Sequence, residues 1–317
     1  MSPLEDAPDV PQWNTVAVVG AGTIGLGWAA LFAARGLQVR VTDPREDLDR
    51  AVRETMPMLA ESLAVPSREL LDRITPTSLE EAVDGVDLVQ ETGPEQLEVK
   101  QDLFARITAA APSSAVLASS SSGIVATDIA AQLPDEAAAR LLIAHPFNPP
   151  QVVPLVEVVP GERTAEPVVR STLAFHQRLG KTPVRLHKEV SGFVANRLQS
   201  SVMREAFSLV LDGVVDVEEL DTVMKASLGG RWATVGPFES FHLGGGPGGI
   251  RHMLEHLGPG MEKRWDDLGR PHLTPDTVAA LAERTEATYG AGPDVYRRRA
   301  SDRDRKQNTL NRALREN

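Results

Sequence analysis

The sequence contains no cysteine, which excludes disulfides, thiolate metal sites and a cysteine nucleophile. It has no block of like charge, only six lysines against 27 arginines, and a net charge of −11. A phosphate-tracking surface needs a basic stripe, so nucleic acid is excluded as the main partner. No apolar run approaches the length of a membrane span, and the first residues lack the charged-then-apolar pattern of a signal peptide. No membrane association is expected, and a cytoplasmic location is the default expectation. What remains is ordinary globular material, 42% hydrophobic and 24% charged. At 317 residues it suggests about two domains, with enough apolar mass for a real core.

Residues 1–12 are acidic and hold three prolines, so they read as a poorly ordered arm. Thr15-Val-Ala-Val-Val then forms a short β-branched run that stops at Gly20, as a buried parallel strand would. Ile24, Trp28, Leu31 and Phe32 follow at helical spacing, and Gly36 stands where a helix terminates. Further strands are expected at Val39–Thr42, Val86–Gln90, Ala115–Ala118, Leu141–Ala144, Leu155–Val159 and Pro183–Leu186. Helical stretches such as Glu95–Ala111 and Glu166–Leu179 lie between several of them. Such alternation implies an α/β fold, a mainly parallel Rossmann-type sheet covered on both faces. The pattern changes near Lys188. Beyond it no strand is convincing, and amphipathic segments run over Phe193–Leu211, Val217–Ala226, Ile250–Leu257, Pro275–Tyr289 and Val295–Leu314. The expected division is a dinucleotide-binding domain over residues 13–188 and an all-α domain over 189–317. Apolar helix faces in so small a domain suggest a homodimer.

Gly20-Ala-Gly22-Thr23-Ile24-Gly25 follows the first strand and opens the first helix. Gly20 permits the tight turn, Gly22 lets the backbone approach a pyrophosphate, and Gly25 allows close helix–strand packing. The free N–H groups at the helix start, from Thr23 and Ile24, face the anion. Asp43 ends the next strand eighteen residues after Gly25, where a carboxylate accepts both adenine-ribose hydroxyls. An acid there repels a 2′-phosphate, favouring NAD over NADP, although Arg45 stands close by.

His145-Pro-Phe-Asn148-Pro-Pro is followed, twelve residues after the histidine, by Glu157 within the apolar run Pro154-Leu-Val-Glu-Val-Val. A glutamate between two valines is costly to bury unless a cation or hydrogen-bond donor meets it. A paired imidazole and carboxylate make a general base of fixed tautomer. A satisfied core histidine beside an unrelated carboxylate is the bland alternative. Leu117-Ala-Ser-Ser-Ser-Ser122 follows another strand, at the sheet edge where ligands of such folds lie. Gly192-Phe-Val-Ala-Asn196-Arg opens the first helix of the second domain.

Together these motifs resemble the 3-hydroxyacyl-CoA dehydrogenase family, and the resemblance covers nearly the whole chain. The matching pieces are the Gly20 loop, Glu95-Gln-Leu-Glu-Val-Lys100, the serine run, His145-Pro-Phe-Asn148-Pro, Leu155-Val-Glu157-Val-Val, Gly192-Phe-Val-Ala-Asn196-Arg and Gly236-Pro-Phe-Glu. The resemblance implies NAD as cofactor, His145 as the base and Glu157 as the group that holds it. It implies Ser122 and Asn196 as donors to the oxygen that changes between alcohol and ketone. Glu95, Lys100 and Asn148 match positions lining the ribose and nicotinamide side of the cofactor. Ser120 departs from the asparagine many members carry, which leaves that cofactor contact to water.

Two features favour a free 3-hydroxy acid over a CoA thioester. Relatives that use CoA carry lysines after the second strand, whereas Glu46 to Asp72 holds seven acids and three arginines, Arg50, Arg53 and Arg68. Arg231, in Gly229-Gly-Arg-Trp, offers a fork suited to a carboxylate; a surface or interface ion pair is its alternative role. These features look most like the branch holding L-gulonate 3-dehydrogenase and lambda-crystallin. 3-Hydroxybutyryl-CoA dehydrogenases, carnitine dehydrogenases and polyketide ketoreductases are the neighbouring readings. A crystallin-like structural protein that binds dinucleotide without turnover is the non-enzyme reading, and an intact base pair speaks against it. His252-Met-Leu-Glu255-His256 fits an inverted zinc-protease pattern, but reads as a solvated or dimer-facing helix surface. Gly244-Gly-Gly-Pro-Gly-Gly249 has no strand before it and no lysine after it, so it reads as a connector, and no metal is expected.

Overall fold

A computed structural model describes residues 12–315; of the expected N-terminal arm, only Gln12 falls within them. The β-branched runs form eight strands: β1 (Thr15–Val19), β2 (Gln38–Thr42), β3 (Ile74–Pro76), β4 (Leu88–Glu91), β5 (Val116–Ser119), β6 (Leu141–Pro146), β7 (Leu155–Pro160) and β8 (Thr182–Arg185). They make one sheet in the order β3-β2-β1-β4-β5-β6-β7-β8. The six strands from β3 to β6 are parallel. β7 runs antiparallel to β6, and β8 runs parallel to β7. The first six strands thus follow the doubly wound order, whose ligands bind beyond the carboxyl ends of the strands. The sequence reading missed β3, which has three residues and ends in a proline, too short to show a period. It also stopped β6 at Ala144, whereas the strand continues through His145.

Strand alternation divides the core between two faces. Val16 and Val18 of β1, Leu142 and Ala144 of β6, and Val156 and Val158 of β7 join one cluster with Trp28, Phe32, Met56 and Phe175. Ala17, Val19, Leu141, Ile143 and Val159 join the opposite cluster with Phe104, Ile107, Ile129 and Phe193. Helices Thr23–Ala34, Leu48–Leu63 and Glu166–Arg178 supply the first face; Leu97–Ala110 and two short turns supply the second. A period of two puts His145 on the face of Leu141 and Ile143, and Glu157 on the face of Val159.

The chain divides into two compact units, residues 12–194 with Ser301–Arg315, and Ala195–Ala300. The sheet unit is therefore closed by the end of the last helix, Pro293–Arg315. There Asn308 Nδ2 donates to Ser62 O, and Asn311 Nδ2 donates to Val152 O at 3.0 Å. The second unit is helical, with no strand. Its longest helices are Ala195–Leu211, Gly249–Asp267 and Pro275–Tyr289. The expected segment Ile250–Leu257 runs ten residues further, through Pro259. Residues 252–256 lie on this helix with the two histidine rings 4.7 Å apart. Among the described residues, no group of three metal-binding side chains is assembled.

His176 is fully buried against Trp28 and Phe175, with ring centroids 5.4 Å away in both cases. Neither of its nitrogens has a hydrogen-bond partner among the described residues. Burial, reinforced by the nearby Lys181 ammonium, pushes its pKa down to about 3. The unfolded chain therefore binds more protons between the ordinary histidine range and about pH 3, so this group erodes stability as pH falls through that window. His176→Leu is expected to remove up to about 1.4 kcal/mol of that decline per pH unit. It should also raise stability at pH 7, since two unpartnered polar atoms leave the core. Urea midpoints at pH 4.5 and 7.5 check both; a variant as acid-sensitive as the parent refutes the assignment.

Candidate functional site

The glycine loop after β1 is built by close contacts. Gly20 has φ +109, and its N–H donates to Thr42 O at 2.8 Å while its carbonyl accepts from Thr92 Oγ1 at 2.9 Å. A Cβ on Gly25 would lie 1.9 Å from Gly20 O, so the helix can approach the strand only at a glycine. At Gly22, by contrast, a Cβ would meet nothing within 4 Å. Helix Thr23–Ala34 starts there with no side-chain cap and no acid in its first turn, where the amides of Thr23 and Ile24 lie. Asp43 is tied to this loop: Oδ2 accepts from Ala21 N at 2.7 Å and Oδ1 from Arg45 N at 3.0 Å. The open space over Gly22, the uncapped helix start and the anchored acid fit a dinucleotide. Arg45, the residue that left NADP open, pairs with Asp47 at 2.7 Å.

The catalytic candidates meet through strand register. β6 and β7 place His145 directly opposite Glu157. His145 Nδ1 lies 2.9 Å from Glu157 Oε2, and both side chains are almost wholly buried. A carboxylate only accepts, so in the neutral imidazole Nδ1 carries the proton and Nε2 keeps its lone pair. Glu157 Oε1 accepts from the backbone N–H of Val194 at 2.9 Å. The rings of Phe147 and Phe193 stand 5.8 and 5.3 Å from the imidazole.

Under the serine run lies a polar network that sequence reasoning largely missed. Glu91, at the end of β4, is fully buried and holds Lys100 Nζ at 2.8 Å. It also accepts from Gly93 N at 2.6 Å and from the hydroxyl of Ser119. Ser120 Oγ accepts from Gln90 Nε2 at 2.7 Å and from Trp28 Nε1 at 3.2 Å. Ser121 Oγ donates to Glu95 Oε1 at 2.7 Å, and the same oxygen accepts from the amides of Ser122 and Gly123 at 2.9 Å. Burial raises the Glu95 pKa, but the Ser121 hydroxyl, the Gly123 and Ile124 amides and Lys100 outweigh it and hold it below the usual range. Three serines are thus turned inward, and Ser122 is exposed. Lys100, expected along the cofactor, has its ammonium on Glu91 in the interior. An acid directly after the apolar pair Leu88-Val89 and Gln90, at the end of a strand buried throughout, was the available signal for Glu91.

Asn148 is exposed and precedes a cis peptide to Pro149. Asn196 is the second residue of helix Ala195–Leu211, in the other unit. Arg231 lies exposed on the short helix Gly230–Thr234 of that unit, and among the described residues no carboxylate is within ion-pair distance of it. In the segment after β2, all three arginines are engaged: Arg50 with Asp47, Arg53 with Asp49 and Arg68 with Asp72.

Comparison with known sequences decides the family. Residues 15–190 match the family described as 3-hydroxyacyl-CoA dehydrogenase, NAD binding domain, and residues 192–300 match its C-terminal domain. The chain belongs to the 3-hydroxyacyl-CoA dehydrogenase family. An L-carnitine dehydrogenase of Streptomyces coelicolor is 44% identical, covering 87% of each chain. A 3-hydroxyacyl-CoA dehydrogenase of Gibberella moniliformis is 40% identical over 88% of each. Among solved structures, 5-formyl-3-hydroxy-2-methylpyridine 4-carboxylic acid 5-dehydrogenase, an NAD+-dependent dismutase, superposes with a TM-score of 0.79. It is 28% identical and covers 96% of this chain and 99% of its own. The protein is accordingly an NAD-dependent dehydrogenase of 3-hydroxy acids.

The two glycines separate packing from binding. Gly25→Ala forces its Cβ against Gly20 O and is expected to cost roughly 1–3 kcal/mol in denaturant unfolding. Gly22→Ala meets no atom and should leave stability unchanged while weakening NAD in a fluorescence titration. Undiminished NAD affinity in Gly22→Ala would remove the pyrophosphate from this loop.

Proposed function

We propose that the protein oxidises the 3-hydroxyl of a free 3-hydroxy acid, with His145 as general base and L-carnitine the first substrate to test. The pairing of His145 Nδ1 with the buried Glu157 carboxylate carries the reading. It leaves Nε2 able to take the hydroxyl proton, while the carboxylate stabilises the imidazolium that forms. Bound NAD supplies the hydride acceptor. Gly20, Gly22, Thr23, Ile24 and Gly25 hold its pyrophosphate, and Asp43 its ribose. Ser122 and Asn196 donate to the substrate oxygen. Glu95 orders the loop that carries Ser122, and Lys100 acts through Glu91 and Glu95. Ser120 and Asn148 border the nicotinamide side.

The substrate class rests on charge. The arginines of residues 46–72 are all paired with carboxylates, which leaves no cradle there for the phosphates of CoA. Arg231 suits a carboxylate instead. The identity to carnitine dehydrogenases moves L-carnitine ahead of L-gulonate. Both are 3-hydroxy acids, and an acyl-CoA substrate is the competing reading, favoured by the fungal relative.

Turnover of L-carnitine, L-gulonate and 3-hydroxybutyryl-CoA with NAD and NADP tests the class; faster oxidation of the CoA ester than of either acid refutes it. Arg231→Ala should raise KM for the acid roughly 10- to 100-fold, the worth of a lost charge-assisted pair. His145→Ala should lower kcat by about 10²- to 10⁴-fold while NAD still quenches tryptophan fluorescence. Glu157→Gln should be comparably damaging. Its amide offers one oxygen to two donors, and if Val194 N–H takes it, Nδ1 meets an NH₂ and the tautomer reverses.

A homodimer through the helical unit completes the proposal. Within 195–300 only Ala206, Val210, Gly245, Gly249 and Ala300 are buried, while Leu198, Val214, Phe238, Leu243, Trp265 and Leu273 are each well over half exposed. Faces of this kind are covered in soluble proteins by a second copy or another partner. Light scattering should give about twice the 34.2 kDa chain mass; a monomer overturns the dimer alone.

A further inference from the structure

Both oxygens of Glu157 are engaged, Oε2 by the His145 imidazole and Oε1 by an amide presented by an unusual piece of backbone. Phe193 has φ +48, a left-handed conformation that bulky residues rarely adopt, and it follows Gly192 at φ +75. Such a residue persists only where its surroundings over-determine it. Here the surroundings are visible. The Phe193 side chain is fully buried in the cluster that holds Ile143, Val159 and Leu186. Its N–H donates to Val190 O at 3.0 Å. Upstream, the Glu189 carboxylate accepts from Thr127 N at 2.9 Å and from the Thr127 hydroxyl. Downstream, the amide of Val194 reaches Glu157 Oε1 at 2.9 Å.

We propose that Phe193 is a positioning residue: its left-handed backbone aims the Val194 amide at Glu157, and its ring fixes the His145 imidazole. This rests on His145 acting as the base. The left-handed turn reverses the chain so that the next N–H points back toward β7. That hydrogen bond removes the carboxylate's freedom to rotate, so Oε2 stays on Nδ1. The Phe193 ring, 5.3 Å from the imidazole and tilted 54° to it, closes one side of the space in which His145 could turn. Glu189 on Thr127 ties the same segment to the helix that follows Ser122, so one stretch of backbone aligns the serine loop and the base.

Phe193→Gly removes the ring while suiting the backbone; Phe193→Leu restores apolar bulk. With L-carnitine and NAD, Phe193→Gly should lower kcat roughly 10- to 100-fold, the scale of a 1 Å misplacement. KM and NAD affinity should be unchanged, and Phe193→Leu should recover part of the loss. Equal kcat in Phe193→Gly and the parent, or a loss confined to KM, overturns the proposal. A second readout needs no turnover. Amide hydrogen exchange at Val194, followed by NMR in the unliganded protein, should be slow in the parent and faster in Glu157→Ala and Phe193→Gly. Identical exchange in all three overturns it, even should Phe193→Gly fold poorly enough to blur the kinetics. If His145→Ala turns over normally while Val194 exchange responds as expected, the base assignment fails and the positioning contact stands.

Discussion

The pairing of His145 with Glu157 depends on a reversal of strand direction. β1 to β6 climb the sheet in parallel, and only at β7 does the chain turn back beside its predecessor. Antiparallel neighbours set residues face to face, and the register here opposes the histidine to the glutamate. A slip of one residue would send the carboxylate to the opposite face, among Val156 and Val158. The acid is therefore fixed by the whole hairpin, and its remaining oxygen is held from outside the hairpin by Val194. The carboxylate lies against the imidazole before any charge develops, so charge on the histidine is met by a partner already in place.

A second buried acid, Glu91, supports the neighbouring part of the site. With Lys100 it forms an ion pair sealed from water, and removing one member of such a pair costs about 3–5 kcal/mol. The pair stands at the carboxyl ends of β4 and β5, where the Ser119 hydroxyl joins it. Above it, Glu95 collects the amides of the serine loop on one oxygen. The loop is thereby shaped by carboxylates from two directions, and Ser122 stands at its exposed end. The inward serines act as short hydrogen-bonding spacers beneath the exposed Ser122.

Much of this is legible in the sequence. β1, the glycine loop and its helix announce themselves through local chemistry, since turn, close packing and helix start each demand a particular residue type. His145 and Glu157 were legible as a pair because an acid amid valines needs a partner. Their opposition was not, since strand direction and register depend on contacts twelve residues apart. Lys100 was read as a cofactor-side position, and its partner in the structure, Glu91, lay unremarked at the end of a strand. Helix Leu48–Leu63 tolerates Pro57 inside it, and Gly249–Asp267 tolerates Pro259. Local rules end a helix at such residues, and tertiary packing overrides them. The returning segment Ser301–Arg315 was invisible, because its arginine-rich surface resembles any solvated helix.

That return has a consequence for the order in which the molecule is made. The loop between β6 and β7 is tied from two later points of the chain: by Lys181 Nζ to the carbonyls of Pro150, at 2.6 Å, and Val153, and by Asn311 to Val152 O. The lysine leaves the ribosome 31 residues after the first carbonyl it grips, the asparagine 159 residues after its own. At ordinary synthesis rates the interval before the second tie is roughly 8–30 s. A nascent sheet must hold the histidine hairpin for that time with its early fastening alone, while the whole helical unit is translated in between.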